Sequence, residues 1–193
     1  MTQTTLEKKP EAAAETSPKK PRAYSGMAVF VANLPYAAMG LIGAAIIALT
    51  LGLHWKGLLA AGGYASYAIA GSLWIIIFLC PYCALHGTRG CPCGYATVSA
   101  LLRKKGRTDC FDKKFKRHIP VIIPLWFIPL IVGGWGLWKS GFDWVPVALM
   151  AVFAVDAFIV LPMTSTGHSC SECPQSDNCP WMKKTVKKNG QAA

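Results

Sequence analysis

Four long apolar runs, separated by short polar segments, constrain the fold of this 193-residue chain more than any other feature. Crossing roughly 30 Å of hydrocarbon takes about 20 helical residues. The runs that reach this length are residues 27–53, 57–80, 119–138 and 143–163. Only helices and closed barrels satisfy their own backbone hydrogen bonds in lipid. We therefore predict an all-α membrane protein with four transmembrane helices.

The lysine and arginine residues predict how these helices are oriented. Of the 20, 18 lie in residues 1–26, 81–118 and 164–193, and the two opposite loops hold only Lys56 and Lys139. Short basic segments beside a span stay on the cytoplasmic side of the membrane. The sequence therefore predicts a multi-pass protein of the cell inner (cytoplasmic) membrane with both termini in the cytoplasm.

The same patterns divide the chain into five segments. In order, they are a disordered cytoplasmic N-terminal tail, helices 1 and 2, a Cys-rich basic cytoplasmic loop, helices 3 and 4, and a Cys-rich cytoplasmic tail. Their predicted bounds are residues 1–26, 27–80, 81–118, 119–163 and 164–193. Because the basic residues flank spans, their predicted neighbour is anionic membrane lipid and not nucleic acid, despite a net charge of +11.

All eight cysteines lie in, or at the edge of, the predicted cytoplasmic segments. Thiols in the cytoplasm are kept reduced, so cysteines there are better candidates for metal ligands than for structural disulfides. Two Cys-x2-Cys elements each place two thiolates on one tight turn. The eight candidate ligands are Cys80, Cys83, Cys91, Cys93, Cys110, Cys170, Cys173 and Cys179.

Eight thiolates divide into two sets of four, which fits two [4Fe-4S] clusters or, alternatively, two zinc ions. We assign Cys80, Cys83, Cys91 and Cys93 to one site and the other four to the second. Cys93 and Cys110 could exchange places, because neighbouring cysteines can serve two clusters. Proline follows four of the eight cysteines, as it does at the end of the bacterial ferredoxin run, and this favours iron–sulfur. The order of the cysteines does not match that run, so no family is assigned.

Two histidines lie near the cysteines in the sequence. His86 follows Cys83 by three residues, and His168 precedes Cys170 by two. Either could replace a thiolate ligand or donate a hydrogen bond to cluster sulfur. The favoured alternative is that both are solvated loop residues, since eight thiolates already complete the ligand count.

Asp156 is the one acidic residue well inside a predicted span. A carboxylate at that depth must face another protein group, be protonated or line a wet cavity. One hypothesis is a proton-handling or quinone-contacting group. The alternative is a buried hydrogen bond to a nearby polar side chain, for which the candidates are Asn33, Tyr64, Ser66 and Tyr67.

Sequence patterns also predict how the helices pack and bend. Small residues recur every four positions, which allows close helix contact in lipid. They are Gly40, Ala44 and Ala48 in the first span and Gly62, Ser66 and Ala70 in the second. Prolines should bend or loosen the third span near its predicted cytoplasmic half, at Pro120, Pro124 and Pro129. An amphipathic helix at the membrane surface is predicted over about residues 95–105.

No phosphate-binding loop, nucleophile elbow or carboxylate pair with a base occurs in the sequence. We therefore expect a non-catalytic electron-transfer subunit of a larger oxidoreductase complex, working between a partner oxidoreductase and another carrier such as membrane quinone. The alternative is a non-redox membrane anchor or assembly subunit whose cytoplasmic segments are stapled by zinc. A metal-ion transporter is disfavoured, because the spans hold no interior Cys or His.

Overall fold

The computed structural model describes residues 23–141 and 143–165, and every regular element within them is helical. The α-helices are α1 (Gly26–Leu51), α2 (Trp55–Phe78), α3 (Tyr95–Leu102), α4 (Phe111–His118), α5 (Pro124–Ser140), α6 (Trp144–Val155) and α7 (Leu161–Thr164). Between them lie 3₁₀ turns at Cys80–Tyr82, Thr108–Cys110 and Ile119–Ile122 and a π-helical turn at Asp156–Val160. The predicted all-α fold is confirmed for the described residues.

Four helical stretches in the described residues are long and apolar enough to cross a membrane. They are Gly26–Leu51, Trp55–Tyr82, Thr108–Lys139 and Trp144–Thr164. Each coincides with one of the four predicted spans. This is the architecture of a multi-pass membrane protein.

Helix α1 lies at the centre of the bundle, because it contacts α2, α5 and α6. Its side chains Met39 and Ile46 are fully buried, as are Leu125 of α5 and Phe153 of α6. Large apolar side chains elsewhere, such as Leu41 of α1, remain exposed on the outer faces. In a membrane these outer faces contact lipid, which is as apolar as leucine itself.

The packing face of α2 differs from the predicted one. Gly62, Ser66 and Ala70 are exposed, so that prediction is wrong. The buried face instead carries a second series of small residues together with a tyrosine: Gly57, Ala61, Tyr64, Ala68 and Gly71. Tyr64 determines which face of α2 is buried. Its ring lies where a side chain at Gly43 would be, and the ring atom Cε1 is 2.6 Å from an ideal Cβ at Gly43.

The prolines of the third span loosen its beginning, as predicted. Pro120 lies within the 3₁₀ turn Ile119–Ile122, and α5 begins at Pro124. Pro129 is inside α5 and has no N–H, so the Leu125 carbonyl four residues earlier lacks its helical donor. Such carbonyls must find another donor, because the hydrocarbon region supplies none.

Helix α2 supplies that donor. The Tyr64 hydroxyl donates a buried hydrogen bond of 2.8 Å to the Leu125 carbonyl. One turn further along α2, the Tyr67 hydroxyl donates to the Val121 carbonyl. Two tyrosines therefore connect α2 to the loosened start of the third span.

Replacing Tyr64 with phenylalanine is expected to lower the free energy of unfolding by about 1–3 kcal/mol. The ring still packs against Gly43, but the buried Leu125 carbonyl loses its donor. Titration of detergent-solubilised protein with sodium dodecyl sulfate measures this change. Tyr82→Phe is the matched control, and an equal loss in both variants would contradict the assigned role of the Tyr64 hydroxyl.

Candidate metal centre

The connection between the second and third spans folds back over the beginning of α1. The Tyr24 amide donates a hydrogen bond of 2.9 Å to the Arg89 carbonyl, which fixes the chain before α1 to this connection. We call this part of the molecule, residues 23–33 and 79–123, the cysteine end. It contains all five cysteines of the described residues.

Cys80 and Cys83 lie on one tight turn, as the Cys-x2-Cys spacing predicts. Helix α2 ends at Phe78, and Pro81 occupies the first turn of the 3₁₀ segment that follows. The Cys83 amide donates to the Cys80 carbonyl at 3.1 Å, and the His86 amide donates to the Cys83 carbonyl at 3.1 Å. These two bonds hold both thiols and His86 on consecutive turns.

Cys91 and Cys93 lie on a second turn, immediately before α3. The Gly94 amide closes this turn by donating to the Cys91 carbonyl at 3.1 Å. The Asn33 side-chain amide of α1 donates to the Cys93 carbonyl at 3.1 Å and so fixes the turn to the first span. Gly94 has a φ of +72°, a conformation in which glycine carries no steric cost.

These two turns bring four thiols together at the end of α2. Each of the four is half-buried. Cys110 lies on a separate turn, Thr108–Cys110, which contacts the Cys80–Tyr82 turn. The assignment of the first four thiols to one site stays a prediction. The other predicted ligands of the second set, and His168, lie outside the described residues: Cys170, Cys173 and Cys179.

None of the five cysteines in the described part of the chain forms a disulfide. Nor are any three His, Cys, Asp or Glu side chains there arranged to hold a single metal ion. Tetrahedral zinc with bonds of about 2.3 Å requires its four sulfurs to be nearly in contact. Binding of a metal ion at these four thiols therefore requires the side chains to move closer together.

His86 is buried and not a solvated loop residue, so that prediction is wrong for this histidine. Only 8% of its surface is exposed, and its Nδ1 has no hydrogen-bond partner among the described residues. The hydroxyl of Ser99, on α3, is also buried without a partner. The two elements pack together, because the Gly87 amide donates to the Ala96 carbonyl of α3. Buried polar atoms are normally satisfied, so both atoms are candidate hydrogen-bond partners for a further polar group at the cysteine end.

Tyr95, the first residue of α3, supplies a neutral hydroxyl next to the thiols. Burial raises its pKa to about 12, although a hydrogen bond with the Ser72 side chain acts in the opposite direction. The hydroxyl therefore stays protonated at neutral pH. A protonated hydroxyl can donate a hydrogen bond to a thiolate or to cluster sulfide.

The cysteine end also carries a basic helix that the sequence did not predict. Helix α4 is short and strongly amphipathic. Its positive charges are those of Lys113, Lys114, Lys116 and Arg117. The Lys114 Nζ lies 4.9 Å from the centre of the Tyr82 ring, and Lys116 pairs with Asp112 at 2.8 Å. The spacing of Phe111 and Phe115, four residues apart, was the available signal.

Helix α3 confirms a helix in the predicted segment but is shorter, and its position at the membrane surface stays a prediction. It ends at Leu102, and Arg103 is already extended with a φ of −142°. Gly106, just beyond the predicted helix, lies against the Tyr82 ring, and its amide donates to the Pro81 carbonyl at 2.8 Å. The chain after Leu102 therefore passes beside the Cys80 turn.

Asp156 is not paired with the predicted hydrogen-bond partners. The side chains of Tyr64, Tyr67 and Asn33 all donate to backbone carbonyls, and Ser66 is exposed. The Oδ2 atom of Asp156 is buried and has no partner among the described residues. Asp156 also opens the π-helical turn Asp156–Val160, a feature that often marks functional positions in helices. The proton or quinone hypothesis for Asp156 stays a prediction.

Substituting Gly94 with alanine is expected to displace the Cys93 turn and to lower metal retention several-fold. An alanine Cβ would lie 2.8 Å from the Cγ1 of Val29, and the positive φ adds strain of about 1 kcal/mol. Metal content after gel filtration measures the effect. Gly62→Ala is the control, because its Cβ would meet nothing within 4 Å. Equal metal retention in both variants would contradict a tightly packed Cys93 turn.

Comparison with protein-family models, with curated proteins and with solved structures finds no match to this chain. The chemistry and geometry of the cysteine end therefore provide the basis for a proposed function.

Proposed function

We propose that this chain is an integral-membrane electron-transfer subunit of a larger redox complex, and that its eight cysteines bind two [4Fe-4S] clusters. The observation that carries the proposal is the gathering of Cys80, Cys83, Cys91 and Cys93 at one end of the helix bundle. Two separate turns, fixed to two different spans, deliver these thiols. Four thiolates are the ligand set of a cubane cluster.

Two features of the surroundings favour a cluster over a single zinc ion. The His86 Nδ1, which has no partner among the described residues, is a candidate donor to sulfur. Such donors tune the reduction potential of a cluster. The nearby basic residues of α4 offset the negative charge of a thiolate-bound cluster.

The division of roles follows from these positions. The four described thiolates hold iron, and Asn33 keeps the Cys93 turn in place through its hydrogen bond to the Cys93 carbonyl. When bound, each cluster supplies one-electron transfer. Cys110, with the three cysteines beyond residue 165, forms the second set in this proposal.

The proposed partners are the other subunits of a membrane redox complex, with membrane lipid around the spans. An exposed basic surface at the cysteine end, including Lys113, Lys116 and Arg117, fits an acidic protein surface or anionic headgroups. In this proposal, this end and both termini lie on the cytoplasmic side of the inner membrane, and the distribution of basic residues in the sequence supports that orientation. Membrane quinone is the proposed diffusible carrier.

Metal analysis of the full chain, purified without oxygen, tests the proposal directly. We expect about eight iron and about eight acid-labile sulfide per chain, a brown colour and an electron paramagnetic resonance signal on reduction. About two zinc ions, no iron and no visible absorption would overturn it. That second result would instead support a zinc-stapled membrane anchor or assembly subunit.

A further inference from the structure

An open groove of about 800 Å³ runs along the cysteine end beside the thiol group. It lies between the beginning of α1, the last turns of α2 and the beginning of α3. Its apolar walls come from Val29, Ile76 and Val98, one residue from each of these helices. Cys91 and Cys93 form part of the same surface. Any cofactor held by these cysteines would therefore lie at the wall of the groove.

The polar side chains that line the groove are neutral, with one exception. Arg89 is its one cationic side chain, and no carboxylate pairs with it in the described residues. The other basic groups at this end point elsewhere, since Arg103 lies over the Phe78 ring and Lys114 over the Tyr82 ring. Ser25 adds a hydroxyl at the beginning of α1. One guanidinium and one hydroxyl can donate to the carbonyl oxygens of a neutral ring.

A phosphate headgroup fits this lining less well. It carries a full negative charge, and moving such a charge out of water into mainly apolar walls is costly unless several partners surround it. A quinone ring is neutral and flat, so apolar walls stabilise it, and one or two donors suffice for its oxygens. Mostly apolar lining with a few placed polar groups is the usual character of small-molecule sites of this size.

The groove also continues onto the lipid-facing surface. Gly26, Val29 and Asn33 line it from one side of α1, and Phe30 lies beside them on the same helical face. The Phe30 side chain is 62% exposed. An isoprenoid tail could therefore leave the groove along α1 into the bilayer while the ring stays beside Cys91 and Cys93.

We propose that this groove binds the headgroup of a membrane quinone, with Arg89 donating to a ring carbonyl and Val29, Ile76 and Val98 contacting the ring. This inference rests on the proposed function, and it names the site and the carrier for it. Reduction of one quinone to quinol takes two electrons and two protons. The two proposed clusters, when bound and reduced, would supply one electron each, and solvent water at the open mouth of the groove would supply both protons.

Photolabelling tests the site without requiring turnover. The probe is a short-tailed quinone carrying an azide on its ring, applied to the full chain in nanodiscs of neutral phospholipid. We expect label in peptides covering residues 23–33 and 89–98, with excess unlabelled quinone removing it. Val98→Trp fills the groove and Arg89→Gln removes the charged donor, and each should weaken labelling about tenfold, the effect of one lost good contact.

The control is Leu101→Trp, on α3 like Val98 but outside the groove and 86% exposed, which should label like the parent chain. Arg89 is exposed, so Arg89→Gln retains the fold even where a tryptophan perturbs it. Labelling that neither groove variant weakens would overturn the inference. So would label displaced by phosphatidylglycerol and not by quinone, which would assign the groove to lipid.

Iron content of the same samples separates this inference from the function on which it rests. Iron-loaded protein without label in the groove would overturn the quinone site and leave the iron–sulfur proposal standing. Label in the groove of protein that binds no iron would support the site and overturn the electron-transfer proposal.

Discussion

Replacing Cys83 with alanine is expected to lower iron from about eight to about four per chain, because one of two [4Fe-4S] clusters loses a ligand. Cys83 shares one 3₁₀ turn with Cys80, and its thiol belongs to the group that interacts with Cys80. Acid-labile sulfide and visible absorption should fall in the same proportion. The measurements are iron and sulfide analysis on protein purified without oxygen.

A second variant, Cys110→Ala, tests how the cysteines are divided. Cys110 lies on a separate turn and should belong to the other cluster, so this variant should also keep about four iron. The double variant should then keep almost none. If the double variant retains half of the iron, both cysteines serve one cluster, and the assignment of Cys83 and Cys110 to different clusters is wrong. The control is Ser66→Ala, at an exposed position outside the cysteine end. It shows how much iron is lost during purification alone.

The spans could be predicted from the sequence because hydrocarbon imposes a length requirement that any apolar run either meets or fails. The sequence could likewise predict that the Cys-x2-Cys turn and the Cys-x-Cys turn lie close together. Cys80 ends one span, and only ten residues separate it from Cys91, so the chain cannot carry the two turns far apart. Local spacing therefore predicted that these two turns lie at the same end of the bundle.

Features that depend on contacts between helices could not be predicted. Helix α2 has small residues on two faces, and the periodicity of Gly62, Ser66 and Ala70 is as regular as that of the buried face. Only the fit of Tyr64 against Gly43, and its bond to the Leu125 carbonyl, decides between them. The sequence contains Pro129 and Tyr64 but does not show that one compensates for the other.

The burial of His86 was missed for a related reason. The residues that follow it, Gly87, Thr88 and Arg89, are small or polar, so the segment resembles an exposed loop. In the structure, α3 packs over this segment through the bond between Gly87 and Ala96, and His86 is enclosed. Helix α4 was missed because its four basic residues resemble a solvated connection, although they occupy one face of a helix.

Substituting Gly133 with leucine is expected to destabilise the bundle by about 3 kcal/mol, at the upper end of the usual cost of overpacking. An ideal Cβ at Gly133 would already lie 2.6 Å from the Met150 Sδ and 3.1 Å from the Ile46 Cγ2. Met150 can move, but Ile46 is fully buried at the centre of the bundle. The added side chain therefore has to push α5 away from α1. Unfolding by sodium dodecyl sulfate measures the loss.

The adjacent residue provides a matched control. A Cβ at Gly134 would meet nothing within 4 Å, so Gly134→Leu places the same side chain on the outer face of α5. Helix propensity improves equally in both variants, by roughly 0.8–1 kcal/mol for glycine to leucine, and so cancels in the comparison. Any difference between the two then reports packing alone. If Gly134→Leu were the more damaging variant, α5 would be rotated about its axis. The bond from Tyr64 to the Leu125 carbonyl would then need another explanation.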